Sequence, residues 1–335
     1  MRKFLLFLMI FIISGTETDT AMSDGNTDEI LSEEVNTTEI YAHITTSDFV
    51  HDIVNHPAFE GFGQYLLPWD DNAYYLDIPL KNVRSLLPYH SHVDPGIVVD
   101  AINCMIDEIR EGKIIFYNFY TEKQKQEDPT KESTGIFFFR GKPGAPFAFV
   151  CPGGGFAYVG SLHEGFPHAV ELSKRGYNAF VLKYRVGSGL RATEDLAAAI
   201  SYIFKNAEMF EVSIKDYTLW GSSAGARMVG DIALEGGASF GGRELPKPCI
   251  VVIAYTGQES FAENYPPAFI TVSKDDSIVN VSVVDRRVEN LKSAGIEVEY
   301  RKYENAGHGF GLGVGTDAEG WIEYAIRFWE NHLPK

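Results

Sequence analysis

Hydrophobic residues change their spacing along this chain at about residue 112. Before that point apolar and polar residues are mixed, prolines are frequent, and one helical pattern, at 98–110, repeats apolar residues every three or four positions. Beyond it, short apolar runs alternate with amphipathic stretches. The runs predict strands at 114–120, 135–140, 147–151, 179–184, 217–221, 249–255, 268–273 and 297–303. The stretches between them predict helices at 166–175, 193–206, 224–235, 281–293 and 320–333.

This alternation of strands and helices predicts an α/β fold, with a mostly parallel sheet and helices on both faces. We interpret residues 113–335 as the main domain and residues 41–112 as an N-terminal extension that packs on it. The first two strands of the domain are predicted to be joined by a charged turn. In sheets of this class the ligand site lies beyond the carboxyl ends of the strands.

The first forty residues have a different character. Arg2 and Lys3 precede an apolar run at 4–13, and residues 1–15 are therefore predicted to be a secretory signal peptide or a short N-terminal anchor. Residues 16–40 contain eight acidic residues and no Lys or Arg, which predicts an acidic disordered linker. We expect export to the periplasm or the extracellular space, with membrane attachment only if the N-terminal segment stays uncleaved.

Composition narrows the functional classes. The formal net charge of −17 opposes binding to phosphate backbones, so we expect no nucleic-acid partner. Three cysteines exclude a disulfide framework, and none has the spacing of a metal site. We therefore expect neither a metal ion nor another cofactor. The composition leaves the oligomeric state open.

The sequence GSSAG at 221–225 joins a predicted strand to a predicted helix and fits the pattern G-x-S-x-G, with Ser223 in the middle. The pattern is typical of a sharp turn that exposes the serine oxygen, and the flanking glycines relieve crowding there. Ser223 is therefore the candidate nucleophile.

A glycine-rich sequence, PGGGF at 152–156, follows the strand predicted at 147–151. Glycines let backbone N–H groups turn inward and approach a ligand closely. The tetrahedral intermediate of acyl transfer needs such donors for its oxyanion. We predict an oxyanion hole formed by the N–H groups of Gly154, Gly155 and Ala224.

A histidine and an acid follow the later strands. His308 lies between glycines directly after the strand predicted at 297–303, where it can reach the serine and act as a general base. Two neighbouring acids follow the strand at 268–273, and one of them is expected to orient the histidine. We favour Asp276 over Asp275, which we interpret as a turn or cap residue before the next helix.

The chain order Ser223, Asp276, His308 is that of the α/β-hydrolase triad and differs from the orders of chymotrypsin and subtilisin. The chain resembles the acetyl esterase and feruloyl/acetylxylan esterase-like branch of that fold. The similarity lies in PGGGF (152–156), KYRV (183–186), EDLAAAI (194–200), GSSAG (221–225), KDDSIV (274–279) and AGHGF (306–310). This resemblance implies a sheet of about eight mostly parallel strands and a metal-independent esterase.

One position departs from the relatives that are similar to hormone-sensitive lipase. They carry His-Gly-Gly-Gly, whereas here Pro152 replaces the histidine, so the loop has to be held by other groups. Several acetyl- and feruloyl-esterase-like members share the proline, which favours that branch.

The expected reaction is hydrolysis of a short-chain acyl or sugar-linked (acetyl or feruloyl) ester through an acyl-enzyme, with a small-molecule or carbohydrate-linked ester as substrate. Two alternatives stay open: an amidase or peptidase of the same fold, and a catalytically inactive binding protein. His163 and His168 follow the glycine loop, where they could line the site, but we favour their interpretation as helix-surface or capping residues. Arg185 is expected to form a structural ion pair with Asp195, and Tyr255 lies where a pocket wall is expected.

Overall fold

An eight-stranded sheet lies at the centre of the computed structural model, which describes residues 41–71 and 73–334. Its strands are β1 Phe116–Tyr117, β2 Gly135–Phe139, β3 Pro146–Cys151, β4 Asn178–Lys183, β5 Ser213–Ser222, β6 Ile250–Ala254, β7 Ala268–Ser273 and β8 Val298–Tyr303. Their order is β1-β2-β4-β3-β5-β6-β7-β8. The pairs β1–β2 and β2–β4 are antiparallel and the others are parallel, which confirms the predicted mostly parallel sheet.

The central strands are buried along their whole length and mostly apolar, because both faces of the sheet are covered. Every residue of β2, β4, β6 and β7 is buried. A parallel sheet between two helical layers requires such continuous apolar runs, whereas a half-exposed strand alternates. The register places Phe149 of β3 between Phe180 of β4 and Leu219 of β5.

Eight α-helices are present in the described residues: α1 Val50–Val54, α2 Pro95–Arg110, α3 Glu122–Glu127, α4 Phe166–Lys174, α5 Gly189–Lys205, α6 Ala224–Glu235, α7 Val281–Ser293 and α8 Trp321–Asn331. Shorter helical turns lie at Pro57–Phe59, Gly63–Leu66, Leu80–Leu86, Pro129–Ser133, Ser161–Gly165 and Gly237–Phe240. Helix α4 contacts α2 and α8, whereas α6 contacts α5, and these groups cover the two faces of the sheet.

The connection between β1 and β2 differs from the charged turn that we predicted. It contains helix α3 and a further helical turn, and β1 itself is only two residues long. Thr121 caps α3, since its hydroxyl accepts the N–H of Gln124 while the Gln124 side chain accepts the N–H of Thr121. This capping box is a helix-start signal, which the sequence interpretation overlooked in a stretch of high charge.

Residues 41–112 pack against the strand-bearing part of the chain. Lys183, at the end of β4, is buried, and its Nζ lies 2.9 Å from a carboxylate oxygen of Asp70 and 3.2 Å from the carbonyl of Leu67. The ring of Phe62 stacks on that of Phe116 in β1, with 5.1 Å between centroids. The predicted signal segment at 1–15 and linker at 16–40 lie outside the described residues. Within the described ranges, no helix is both long and apolar enough to cross a membrane.

Candidate active site

Ser223 occupies the sharp turn between β5 and α6. Its backbone has φ 49° and ψ −113°, a combination that non-glycine residues adopt only under strain. The glycines beside it are required by close packing. A Cβ at Gly225 would lie 1.9 Å from the carbonyl oxygen of Cys151, and one at Gly221 would lie 2.5 Å from the Cα of Ala226. The turn therefore presses α6 against the end of β3 and leaves no room for larger residues.

The structure brings the three residues predicted for acyl transfer into one hydrogen-bonded chain. His308 Nε2 lies 2.9 Å from Ser223 Oγ, and His308 Nδ1 lies 2.8 Å from Asp276 Oδ2. The side chain of His308 is 4% exposed and that of Asp276 is fully buried. With the Nδ1 proton held by the carboxylate, Nε2 presents its lone pair to the serine hydroxyl, which is the arrangement a general base needs.

The two neighbouring acids have separate positions. Asp276 contacts His308, and its other oxygen accepts the N–H groups of Ile278 and Val279 at 2.8 and 2.7 Å. Asp275 instead accepts the N–H of Gly307 at 2.8 Å and so holds the loop that carries the histidine. Hydrogen bonds from Ser273 and Gly307 outweigh burial and lower the pKa of Asp275. Of our two interpretations of Asp275, the turn residue is confirmed, since it lies in the turn after β7, whereas the cap is wrong, because Asn280 caps α7.

The glycine loop after β3 lies directly against Ser223. A Cβ at Gly153 would lie 2.9 Å from Ser223 Cβ. Gly154 and Gly155 have φ of +124° and +63°, a conformation that glycine tolerates best and that turns their amides away from a regular strand. Ala224 is the first residue of α6, where an N–H has no acceptor within the helix. The three amides predicted for the oxyanion hole therefore belong to two backbone segments in contact with each other.

Tyr184 and Glu164 hold the loop that a histidine stabilises in the relatives of hormone-sensitive lipase. The hydroxyl of Tyr184 lies 2.9 Å from the carbonyl oxygen of Pro152 and 3.2 Å from that of Gly153. The N–H of Gly153 donates to Glu164 Oε2 at 2.6 Å. Tyr184 belongs to the sequence motif KYRV (183–186), whereas Glu164 lies outside every motif used above and was not predicted.

The two histidines that follow the loop are buried, so their interpretation as surface or capping residues is wrong. His163 Nε2 donates to the carbonyl of Gly309 at 3.0 Å, and the ring of His168 packs edge-on against Trp321. Burial, with a smaller contribution from the neighbouring His90, lowers the pKa of His163 to about 3. Burial lowers the pKa of His168 to about 4. Both imidazoles are therefore neutral near pH 7.

Tyr255 also lies inside the protein, behind the base. Its ring meets that of His308 edge-on at 5.1 Å, and its hydroxyl donates to Glu164 Oε1 at 2.7 Å. Tyr255 is therefore a fully buried residue that packs behind His308.

Arg185 forms the expected structural ion pair, with its guanidinium 2.8 Å from Asp195 Oδ1. Among the residues that the structure describes, no cluster of His, Cys, Asp or Glu has the geometry of a metal site.

Comparison with known proteins agrees with the fold and the sequence motifs. Residues 141–244 match the family model described as BD-FAE. The chain has the α/β-hydrolase fold, and its similarity to this family model supports the acetyl/feruloyl esterase-like branch. A solved structure, the acetyl ester-xyloside bifunctional hydrolase from Caldicellulosiruptor lactoaceticus, superposes with a TM-score of 0.57 at 18% identity, over 64% of this chain and 95% of that one. This similarity confirms the predicted α/β-hydrolase fold.

Two curated relatives are similar in sequence to part of this chain. Endo-1,4-beta-xylanase B of Butyrivibrio fibrisolvens is 27% identical over 220 residues, which cover 53% of this chain and 34% of that protein. An acetylxylan esterase of Xylanibacter ruminicola is 24% identical over 204 residues, which cover 52% of this chain and 41% of that protein. The chain thus spans about two fifths or less of the length of these relatives.

Proposed function

We propose that this α/β-hydrolase is a serine carboxylesterase that removes acetyl or feruloyl groups from small molecules or carbohydrates through an acyl-enzyme. The observation that carries the proposal is the hydrogen-bonded chain from Ser223 through His308 to Asp276. The names of the similar proteins, an acetylxylan esterase and a xylanase, support an ester of this class.

The reaction starts when Ser223 Oγ attacks the ester carbonyl carbon and His308 Nε2 takes its proton. The carbonyl oxygen becomes an oxyanion, which accepts hydrogen bonds from the amides of Gly154, Gly155 and Ala224. The bond to the alcohol oxygen then breaks, and His308 gives the proton to the departing alcohol. A water molecule attacks the acyl-enzyme with His308 again as base, which releases the carboxylic acid and restores the serine.

Asp276 acts through the imidazole. By accepting the Nδ1 proton of His308, it keeps Nε2 unprotonated towards the serine and stabilises the imidazolium that forms during each step. Its second oxygen is occupied by two backbone amides, so the carboxylate cannot rotate away from the histidine without breaking those bonds.

Replacement of Ser223 by Ala tests the proposal with p-nitrophenyl acetate as substrate. We expect kcat to fall by roughly 10⁴- to 10⁶-fold, whereas Ser222→Ala, in the same motif, should keep the parent's order of magnitude. A fluorophosphonate probe should label the parent chain and leave the Ser223→Ala variant unlabelled. Near-parental hydrolysis by Ser223→Ala would exclude the serine mechanism, and an unlabelled, inactive parent would favour a binding protein.

A substrate panel separates the ester from the amide hypothesis. We expect hydrolysis of short acyl esters, of feruloyl esters or of acetylated xylan to exceed that of peptide amides by orders of magnitude. Preferential cleavage of the amides would assign the same three residues to an amidase or peptidase instead.

A further inference from the structure

The carboxylate of Glu164 lies directly behind the glycine loop and is fully buried. It accepts the N–H of Gly153 through Oε2 and the hydroxyl of Tyr255 through Oε1. Gly153 precedes the two loop amides that we assign to the oxyanion hole, and its Cα packs against Ser223. This carboxylate therefore holds the backbone amide that directly precedes the two proposed oxyanion-hole residues.

The partner of Glu164 comes from the N-terminal extension. His90 Nε2 lies 3.2 Å from Glu164 Oε2, and both side chains are almost completely buried. The other nitrogen of the ring, Nδ1, lies 2.8 Å from the hydroxyl of Tyr158, which also accepts the N–H of Tyr89 at 3.0 Å. The imidazole is thus fixed at both nitrogens, with one of them directed at the carboxylate.

The same short segment also touches the loop that carries the base. The N–H of Ser91 is shared between the carbonyl oxygens of His308 and Gly309, at 3.0 and 3.1 Å. Residues 89–91 therefore lie between the glycine loop and the histidine loop, and they contact both. The region that matches the family model, residues 141–244, does not include this segment.

A buried carboxylate is costly unless it is paired and hydrogen-bonded. Burial alone would raise the pKa of Glu164, but the charge and N–H of His90 and the hydroxyl of Tyr255 lower it to about 2. Without His90 the carboxylate would keep Tyr255 and the Gly153 amide but lose its hydrogen-bond partner from the extension. Taking up a proton would then relieve the desolvation penalty and weaken the acceptor that Gly153 uses.

We propose that His90 is a positioning residue of the active site: it holds Glu164 ionised against the Gly153 amide and thereby directs the Gly154 and Gly155 amides at the substrate oxygen. The proposal rests on the serine-esterase function proposed above and adds a residue of the extension to it. His90 itself does not contact the reacting atoms. We therefore expect His90 to stabilise the states in which the carbonyl oxygen carries negative charge and to leave the binding of the uncharged ester unchanged.

The test compares His90→Ala and His90→Gln with the parent in p-nitrophenyl acetate hydrolysis. We expect His90→Ala to lower kcat by about 100-fold, the scale for losing one oxyanion-hole donor, with KM within threefold. His90→Gln retains an N–H donor for Glu164 and should recover part of that loss. Inhibition by phenylboronic acid, whose serine adduct places an oxygen in the hole, should weaken by the same factor as kcat.

A matched control is His43→Gln, another histidine of the extension that is paired with a carboxylate, that of Asp107, but on the surface. It should leave kcat, KM and boronate inhibition unchanged. Circular dichroism and thermal unfolding identify folded variants. If His90→Ala does not fold, Tyr158→Phe, which removes the hydroxyl that fixes His90 Nδ1, is expected to give the same pattern with a smaller loss.

Two results would overturn the proposal. A folded His90→Ala variant with parental kcat would show that the pair is dispensable, and a rise in KM at constant kcat would make His90 a substrate contact instead. Failure of the underlying function has a separate signature. In that case the parent itself neither hydrolyses the ester nor loses activity on replacement of Ser223, whatever residue stands at position 90.

Discussion

The two buried histidines beside the glycine loop make the stability of the fold depend on pH. His163 and His168 have pKa values of about 3 and about 4 in the folded protein, because burial opposes their charged forms. In the unfolded chain a histidine takes up a proton below about pH 6.5. Since their folded pKa values are depressed, the stability they contribute is complete above about pH 6.5 and is lost as the pH falls.

The size of the effect follows from the difference in bound protons. Below pH 6.5 each buried histidine costs about 1.4 kcal/mol of unfolding free energy per pH unit, until the folded pKa is reached. Between pH 8 and pH 5 the loss is about 2 kcal/mol for each ring. This figure requires only that both folded pKa values lie below 5. Glu164, with a folded pKa of about 2, loses its contribution only below about pH 4.5, so the range above pH 5 isolates the histidines.

The assay is urea denaturation at half-unit steps from pH 8 to pH 5, on the parent, His163→Asn and His168→Leu. His163→Asn keeps an N–H donor near the carbonyl of Gly309, and leucine fills the apolar space of a ring whose Nε2 has no hydrogen-bond partner among the described residues. Each variant should lose about 2 kcal/mol less than the parent across this range, whatever its stability at pH 8. Above pH 7.5 all three curves should run parallel, which is the internal control. Parallel curves down to pH 5 would refute the reasoning.

Two further predictions concern the site and its scaffold. Asp276→Asn should lower kcat by about 10⁴-fold, whereas Asp275→Asn should stay within about tenfold of the parent, because only Asp276 sets the tautomer of His308. Kinetics with p-nitrophenyl acetate on both variants measures this difference. A larger loss in Asp275→Asn would make Asp275 the orienting acid. Gly225→Ala should reduce the unfolding free energy by about 3 kcal/mol or more, since its methyl group would meet the Cys151 carbonyl. Gly257→Ala, whose methyl group would meet no atom within 4 Å beyond the adjacent residues, should be nearly neutral, and urea denaturation of both variants measures the difference.

The local sequence was sufficient to predict the structure of segments whose conformation depends mainly on their own residues. Three elements, α6, β7 and α7, have the bounds that their apolar patterns predict, and the turn at Ser223 follows from the glycines around it. The acid that orients the histidine was harder to predict, because two adjacent residues are both aspartates and differ only in the loop that each side chain faces. Asp276 faces His308, whereas Asp275 faces Gly307.

The layer behind the glycine loop was not predictable in the same way. Glu164 meets His90 and Tyr255 from separate parts of the chain, and no periodic pattern reports a hydrogen bond between residues so far apart in sequence. The sequence does contain a weak signal, a charged residue in an otherwise apolar stretch after the glycines. Such a residue has to be either exposed or paired, and the sequence alone does not distinguish these outcomes.

The contact of residues 89–91 with both the glycine loop and the loop of His308 has a consequence for how the proposed active site can vary between sequences. The ring of Tyr89 is 44% exposed and lies against Gly155, so a segment far before Ser223 in the chain forms part of the wall beside the glycine loop. Substitutions there can reshape the entrance while the nucleophile, base and acid stay unchanged. Under the proposed function, exchange of residues 41–112 is therefore expected to change the substrate range, and a fragment that begins at residue 113 would lack Tyr89 from the border of the proposed site.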